Sequence, residues 1–194
     1  MDTDLNQHID ALIKSPATIR QIRFATDSRP ASGNVQKADF PRLDIMLDGQ
    51  LHDAGIKADP PVLSRHDVLF IHAGGWHSPR WQSPCTVLSI VFGKQQLELT
   101  LTRWNGSMLN VEERLQVPRR GPRTGSFLLQ ALNEMQMQPQ EQHTARYIVI
   151  SLLSHCADLL GSQVQTASRS QALFEAIRKY IDARFAEPLT RESV

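Results

Sequence analysis

His66-Asp67-Val68-Leu69-Phe70-Ile71-His72-Ala73-Gly74-Gly75-Trp76-His77 reads as a strand, a turn and a second strand. The Gly74-Gly75 pair ends the apolar run because glycine accepts backbone angles that other residues avoid. Thr86 to Phe92 supplies the next strand. Working outward, residues 40–104 keep a period of two with turn residues between short apolar runs, the pattern of a small antiparallel barrel or sandwich. Odd positions are apolar in Arg42-Leu43-Asp44-Ile45-Met46-Leu47-Asp48 and again in Leu97-Glu98-Leu99-Thr100-Leu101-Thr102. Each of these strands is therefore expected to bury one face. Asp48-Gly49 suits a tight hairpin turn, and Phe92-Gly93-Lys94 breaks another run. Ser28 to Gly33 reads as a loop, which leaves Ala17 to Thr26 as an early strand.

After Gly125 the period changes to that of a helix. Phe127, Leu128, Ala131, Leu132 and Met135 give one stripe that ends near Pro139, and a second helix is expected over Glu141–Leu160. Its residues Tyr147, Ile148, Val149, Ile150, Leu152, Leu153, Cys156, Leu159 and Leu160 are apolar around much of the circumference. Such a helix calls for support on two sides, one in its own chain and the other in a second copy; the alternative is burial wholly within one subunit. Gln163 to Ser170 has the composition of a linker. A third helix follows through Leu173, Phe174, Ile177, Tyr180, Ile181 and Phe185, and Pro188 stops it. Thr190 then suits the start of a further helix, so the chain reads as a piece of a longer protein.

The chain has 194 residues, 41% of them hydrophobic, enough for one compact domain and an accessory segment. No run is long enough to span a bilayer and no signal peptide opens the chain, so a cytoplasmic location and no membrane contact are expected. Cys85 and Cys156 lack metal-ligand spacing and read as buried thiols. A net charge of +1 argues against a dedicated nucleic-acid surface within this chain. Pro118-Arg119-Arg120-Gly121-Pro122-Arg123 is a basic exception that reads first as a connecting loop, with contact to DNA phosphate or a partner as the other reading.

The stretch His66–His77 resembles the second cupin motif, which runs Gly, five residues, Pro, one residue, Gly, two residues, His. Gly74 and His77 match it, while His66 and His72 stand where the motif has Gly and Pro. The His-x-His pair and Glu of the first cupin motif, which supply most metal ligands, are not recognisable, and His52 stands alone. No metal or cofactor is therefore expected, although a joint metal site at His72 and His77 is an open alternative. Leu173 to Val194 resembles the opening of the DNA-binding domain of the AraC family of transcription regulators, where a helix ending in a Tyr-Ile-like pair leads through a Pro-Leu-Thr-like turn.

The resemblance implies an α+β chain in three parts. Residues 1–120 form a cupin-like antiparallel barrel that senses a small effector, with an N-terminal extension; 121–167 form a helical dimerisation segment and linker; and 168–194 begin a truncated DNA-binding domain. The chain would then control transcription allosterically as a homodimer, reading DNA through helix-turn-helix units that it lacks, and would be no enzyme. The alternative is a metal-dependent cupin enzyme, a dioxygenase or isomerase. For the effector pocket the expected residues are His72, Trp76 and His77 on the motif turn, Trp81 and Trp104 as aromatic walls, and Arg42 for an anionic group. For each there is a plainer role: core packing for the tryptophans, hydrogen-bonded turn positions for the histidines, and a surface ion pair with Asp44 for Arg42. Pairing of two copies is assigned to Ile148, Leu152, Cys156 and Leu159.

Overall fold

In a computed structural model of the chain, the described residues are 4–31, 34–56, 61–119, 124–136 and 141–162. The chain divides into two compact units, Met1–Leu159 and Leu160–Val194. The expected linker, the third helix and the segment resembling a DNA-binding domain lie outside the described residues, as do residues 120–123 of the basic loop.

The first unit is α+β. It opens with a helix that the period-two reading passed over, α1 (Asp4–Lys14), whose Leu5, Ile9 and Leu12 form one buried stripe. Asp4 in its first turn and Lys14 in its last both suit the helix dipole. A 3-10 turn at Pro16–Thr18 takes the first part of the expected early strand, leaving β1 as Ile22–Phe24. Then come β2 (Gln36–Lys37), β3 (Arg42–Asp53), β4 (Val62–Ser64), β5 (Val68–Ile71), β6 (Trp76–His77) and β7 (Pro79–Arg80). The longer strands β8 (Cys85–Phe92), β9 (Gln96–Trp104) and β10 (Leu109–Pro118) are followed by α2 (Thr124–Met135). Residues 142–162 are helical and are termed α3.

The main sheet runs β1-β5-β3-β8-β9-β10, with β4 and β7 also paired to β3. β1 runs parallel to β5; the other pairings in this sheet are antiparallel. Strand β3 is the pivot. Its first half lies between β5 and β8, and its last residues leave them to pair with β4 and β7. The change of direction falls at an irregularity between Met46 and Asp48. The hairpin expected at Asp48-Gly49 is thus not formed, and the strand continues through a bulge. Gly49 has φ +76°, and a Cβ there would stand 2.2 Å from the Pro84 carbonyl oxygen. Only glycine fits where the strand bends this close to its neighbour.

The register sets the two faces. Leu43 pairs with Phe70 and Ile90, and Ile45 with Val68 and Leu88, so these side chains share the face that α2 overlies with Leu129. The opposite, inner face carries Met46, Leu69, Ile71 and Val87, which cluster with Leu51, Ile56 and Leu63. The expectation that β3 buries one face is corrected, because Asp44 and Met46 are buried as well as Leu43 and Ile45. β9 does alternate, burying Leu97, Leu99 and Leu101.

The helices also depart from expectation. On α2 the buried residues are Leu129, Leu132 and Met135, while Phe127 is 70% exposed, so the buried stripe is rotated from the one read in sequence. On α3, Ala145, Val149, Leu152, Leu153 and Cys156 are buried within the chain, and Tyr147, Ser151 and Asp158 face outward. Leu152 and Cys156, two of the residues assigned to pairing, are each 0% exposed. Ile148 and Leu159, on the border of the buried face, are half-buried. Cys85 and Cys156 are free and buried, and burial pushes their thiols up to about 11 and about 12. Among the described residues no helix is long and apolar enough to cross a membrane.

The edge of the main sheet at β1 is closed by a side chain. The Ile22 N–H donates to Gln142 Oε1 at 2.7 Å, and Gln142 Nε2 donates to the Ile22 carbonyl at 2.9 Å. One amide of α3 thereby satisfies both outward backbone groups of Ile22, which a further strand would otherwise engage.

Candidate functional site

The inner face changes character along β3. Beside the apolar cluster stands a polar group built by register: Asp44 lies opposite Ser89, and Arg42 lies two residues along on the same face. Arg42 Nε is 2.6 Å from Asp44 Oδ1, Arg42 Nη2 donates to Ser89 Oγ at 3.0 Å, and Ser89 Oγ donates to the same Asp44 oxygen at 2.6 Å. This is not a surface ion pair. Asp44 is buried, whereas the Arg42 side chain is 29% exposed, so one partner is fixed and the other still meets solvent. Burial works against the charge of Arg42, but Asp44 outweighs it and holds the guanidinium above its ordinary pKa.

His77, on β6, is buried. Burial lowers its pKa, and the positive charge of Arg42 adds to that, with Asp44 opposing. The imidazole is therefore neutral at pH 7 and can both donate and accept. Its strand is anchored by a residue that sequence reasoning passed over. Asp53, at the end of β3 and 1% exposed, accepts the Ser78 N–H at 2.6 Å and the Gly55 N–H at 2.7 Å through one oxygen. Burial is the largest influence on Asp53 and raises its pKa to about 6, against the lowering effect of those two bonds. The sequence held a signal for Ser89, the hydroxyl inside the apolar run Val87–Phe92; Asp53 carried none beyond the Gly two residues on.

Trp81 and Trp104 are partly buried against the inner apolar cluster. The indole N–H of Trp104 is buried and finds no acceptor among the described residues. Trp76 stands apart, with Arg29 and Lys37 at 5.6 and 5.7 Å from its ring centre, so its exposed π-surface is occupied by cations. His72 is not brought to Arg42 and His77. Its Nδ1 donates to the Ala73 carbonyl at 2.9 Å, and its Nε2 lies 2.8 Å from Asp27 Oδ1, close enough for an ion pair though not aligned as a hydrogen bond. It lines a different cavity, on the α2 side of the sheet. Among the described residues no three His, Cys, Asp or Glu side chains gather as a metal-binding group.

Two residues of the His66–His77 stretch have positive φ, His66 at +68° and Gly74 at +87°. Both lie in the left-handed region that favours glycine. Two bends thus carry the chain into β5 and from it to His77.

The chain is 56% identical over 191 residues to an uncharacterised HTH-type transcriptional regulator, YijO, of Escherichia coli (strain K12). It is 32% identical over 187 residues to a second such protein of that organism, YpdC. These matches cover 98% and 94% of this chain but 66% and 65% of the relatives, so the chain spans just under two thirds of their length. No protein-family model matches the chain, and no solved structure does. Over nearly its whole length the chain is similar to proteins named as HTH-type transcriptional regulators.

Proposed function

We propose that this chain is the effector-sensing and pairing region of an AraC-type transcription regulator, built on a cupin-like barrel and acting on DNA through helix-turn-helix units outside residues 1–194. The similarity to two HTH-type regulators across nearly the whole chain is the observation that carries the reading. The left-handed turn at His66 supports the cupin-like part. For the effector, the inner face beside Arg42 and His77 is the proposed site, with Trp81 and Trp104 as its apolar flank. The Arg42 side chain keeps part of its surface open to solvent while Asp44 and Ser89 hold its Nε and Nη2, an arrangement that orients a donor group. A molecule bound more tightly by one arrangement of the chain shifts the population between arrangements, and paired copies then present their DNA-reading parts differently.

Pairing is proposed along the α3 border that includes Ile148 and Leu159. The test fuses residues 1–194 to a DNA-reading domain that represses a reporter only when paired. Repression by the fusion, lost with Ile148→Glu while the protein stays folded, is the expected result. A soluble fusion that never represses would sink the pairing claim. Sequence-specific DNA retention by residues 1–194 alone would show that the reading function had been placed in the wrong part of the protein.

A further inference from the structure

On the α2 side of the sheet lies a cavity that the effector reading does not use. It measures about 620 Å³, within the range of small-molecule sites. Phe70 and Phe92 on strands β5 and β8 and Leu129 on α2 form an apolar wall, and Phe40, 37% exposed, stands at its mouth. Two cations line the same space. Lys94 is exposed and has no carboxylate partner among the described residues. Arg119 Nη1 donates to the Gly93 carbonyl at 2.9 Å and its Nη2 to Ser126 Oγ at 3.4 Å, both uncharged oxygens, so its charge is positioned without being neutralised. No Asp or Glu is among the described lining residues.

From this combination of an aromatic wall, two uncompensated cations and no carboxylate, we infer that the cavity binds a small aromatic carboxylic acid. Its ring would lie against Phe70, Phe92 and Leu129, and its carboxylate would meet Lys94 and Arg119. An anion there gains charge-assisted hydrogen bonds, while an uncharged isostere of equal apolar area gains only the burial. Because one wall belongs to the sheet and the other to α2, the occupant ties that helix to the strands. The inference stands on this cavity alone and does not require the inner face at Arg42 to bind anything.

The test uses the 194-residue chain, with 1-naphthylacetate as probe and 1-naphthylacetamide as its uncharged control. Binding is read by calorimetry and by the rise in melting temperature, which a ligand of the folded state must cause. The acid should bind and the amide should bind at least about tenfold more weakly, as expected for loss of a charge-assisted contact. Lys94→Gln should weaken the acid to a similar degree. Asn133→Trp, which places an indole into the cavity from an exposed position on α2, should abolish binding of both. Melting of each variant without ligand establishes that it folds; should Lys94→Gln not fold, weakening of the acid but not the amide by salt replaces it. Equal binding of acid and amide would overturn the inference, and so would acid binding unaffected by Asn133→Trp. No binding of the acid at about 10 mM, an affinity too weak for a built site, would do the same.

Discussion

Asp53 and Ser78, 25 residues apart in sequence, are joined by a 2.6 Å hydrogen bond from the Ser78 amide to a buried carboxylate whose pKa stands at about 6. Since that pKa is raised from 3.8, the folded chain holds this proton more tightly than the unfolded chain does. The resulting stabilisation is fully present below about pH 4 and is lost as pH rises through 6. A displacement of this size corresponds to roughly 3 kcal/mol. Asp53→Asn keeps an oxygen to accept both backbone bonds and removes the titration. Urea melts should therefore show the variant gaining on the parent by up to about 3 kcal/mol between pH 4 and pH 7. Parallel stability curves would show that the carboxyl does not titrate in that interval.

Gly49 permits no side chain. Its φ of +76° already disfavours other residues, and a Cβ would meet backbone at Pro84 and Cys85 that cannot swing aside. Gly49→Ala should cost at least about 2 kcal/mol in chemical denaturation, adding steric overlap to backbone strain. Gly161→Ala, where a Cβ would meet nothing within 4 Å, is the control and should be neutral or mildly stabilising.

The two faces of α3 should answer differently to truncation. Leu152, fully buried, should lose about 2–5 kcal/mol on Leu152→Ala, whereas Tyr147→Ala, at a position 58% exposed, should stay within about 0.5 kcal/mol. Thermal melting of the two variants distinguishes this orientation from one turned outward.

Removing the Gln142 side chain should uncover the edge of β1. Gln142→Ala is expected to cost about 1–2 kcal/mol, the value of leaving part-buried backbone groups unsatisfied. Hydrogen exchange at the Ile22 amide should quicken beyond what the global loss explains. An unchanged Ile22 rate would mean that the contact protects nothing.

Much of the β region was legible because burial on one face leaves a period of two, as in β9, where Leu97, Leu99 and Leu101 are buried. Strand β3 was misread where it is buried on both faces. Asp44 lies inside because Arg42 and Ser89 satisfy it, and no local pattern reports a partner 45 residues away. The Asp48-Gly49 pair carries the chemistry of a tight turn, but the neighbouring strand uses the same glycine for close approach. The stripe Leu5, Ile9, Leu12 was available at helical spacing, and α1 could have been read from it. Of the expected site, Arg42 and His77 come close enough for the charge of Arg42 to act on the imidazole, although their strands do not pair. His72 was drawn to them by sequence proximity, yet the Gly74 turn separates the residues before and after it, and the sheet's two faces divide what the motif lists in a row.

The bond between Ile22 and Gln142 closes a separation of 120 residues, and this bears on how the protein is made. A chain growing at about 5–20 residues per second exposes Ile22 on the order of ten seconds before Gln142 emerges. Once β5 has emerged to pair with it, and until Gln142 follows, β1 is an uncovered strand edge, open to pairing with other nascent chains. The last helical stretch of the described chain is thus also the step that ends an early period of vulnerability to aggregation. Slowing translation downstream of β10 would lengthen that period and lower the soluble yield without changing a single residue.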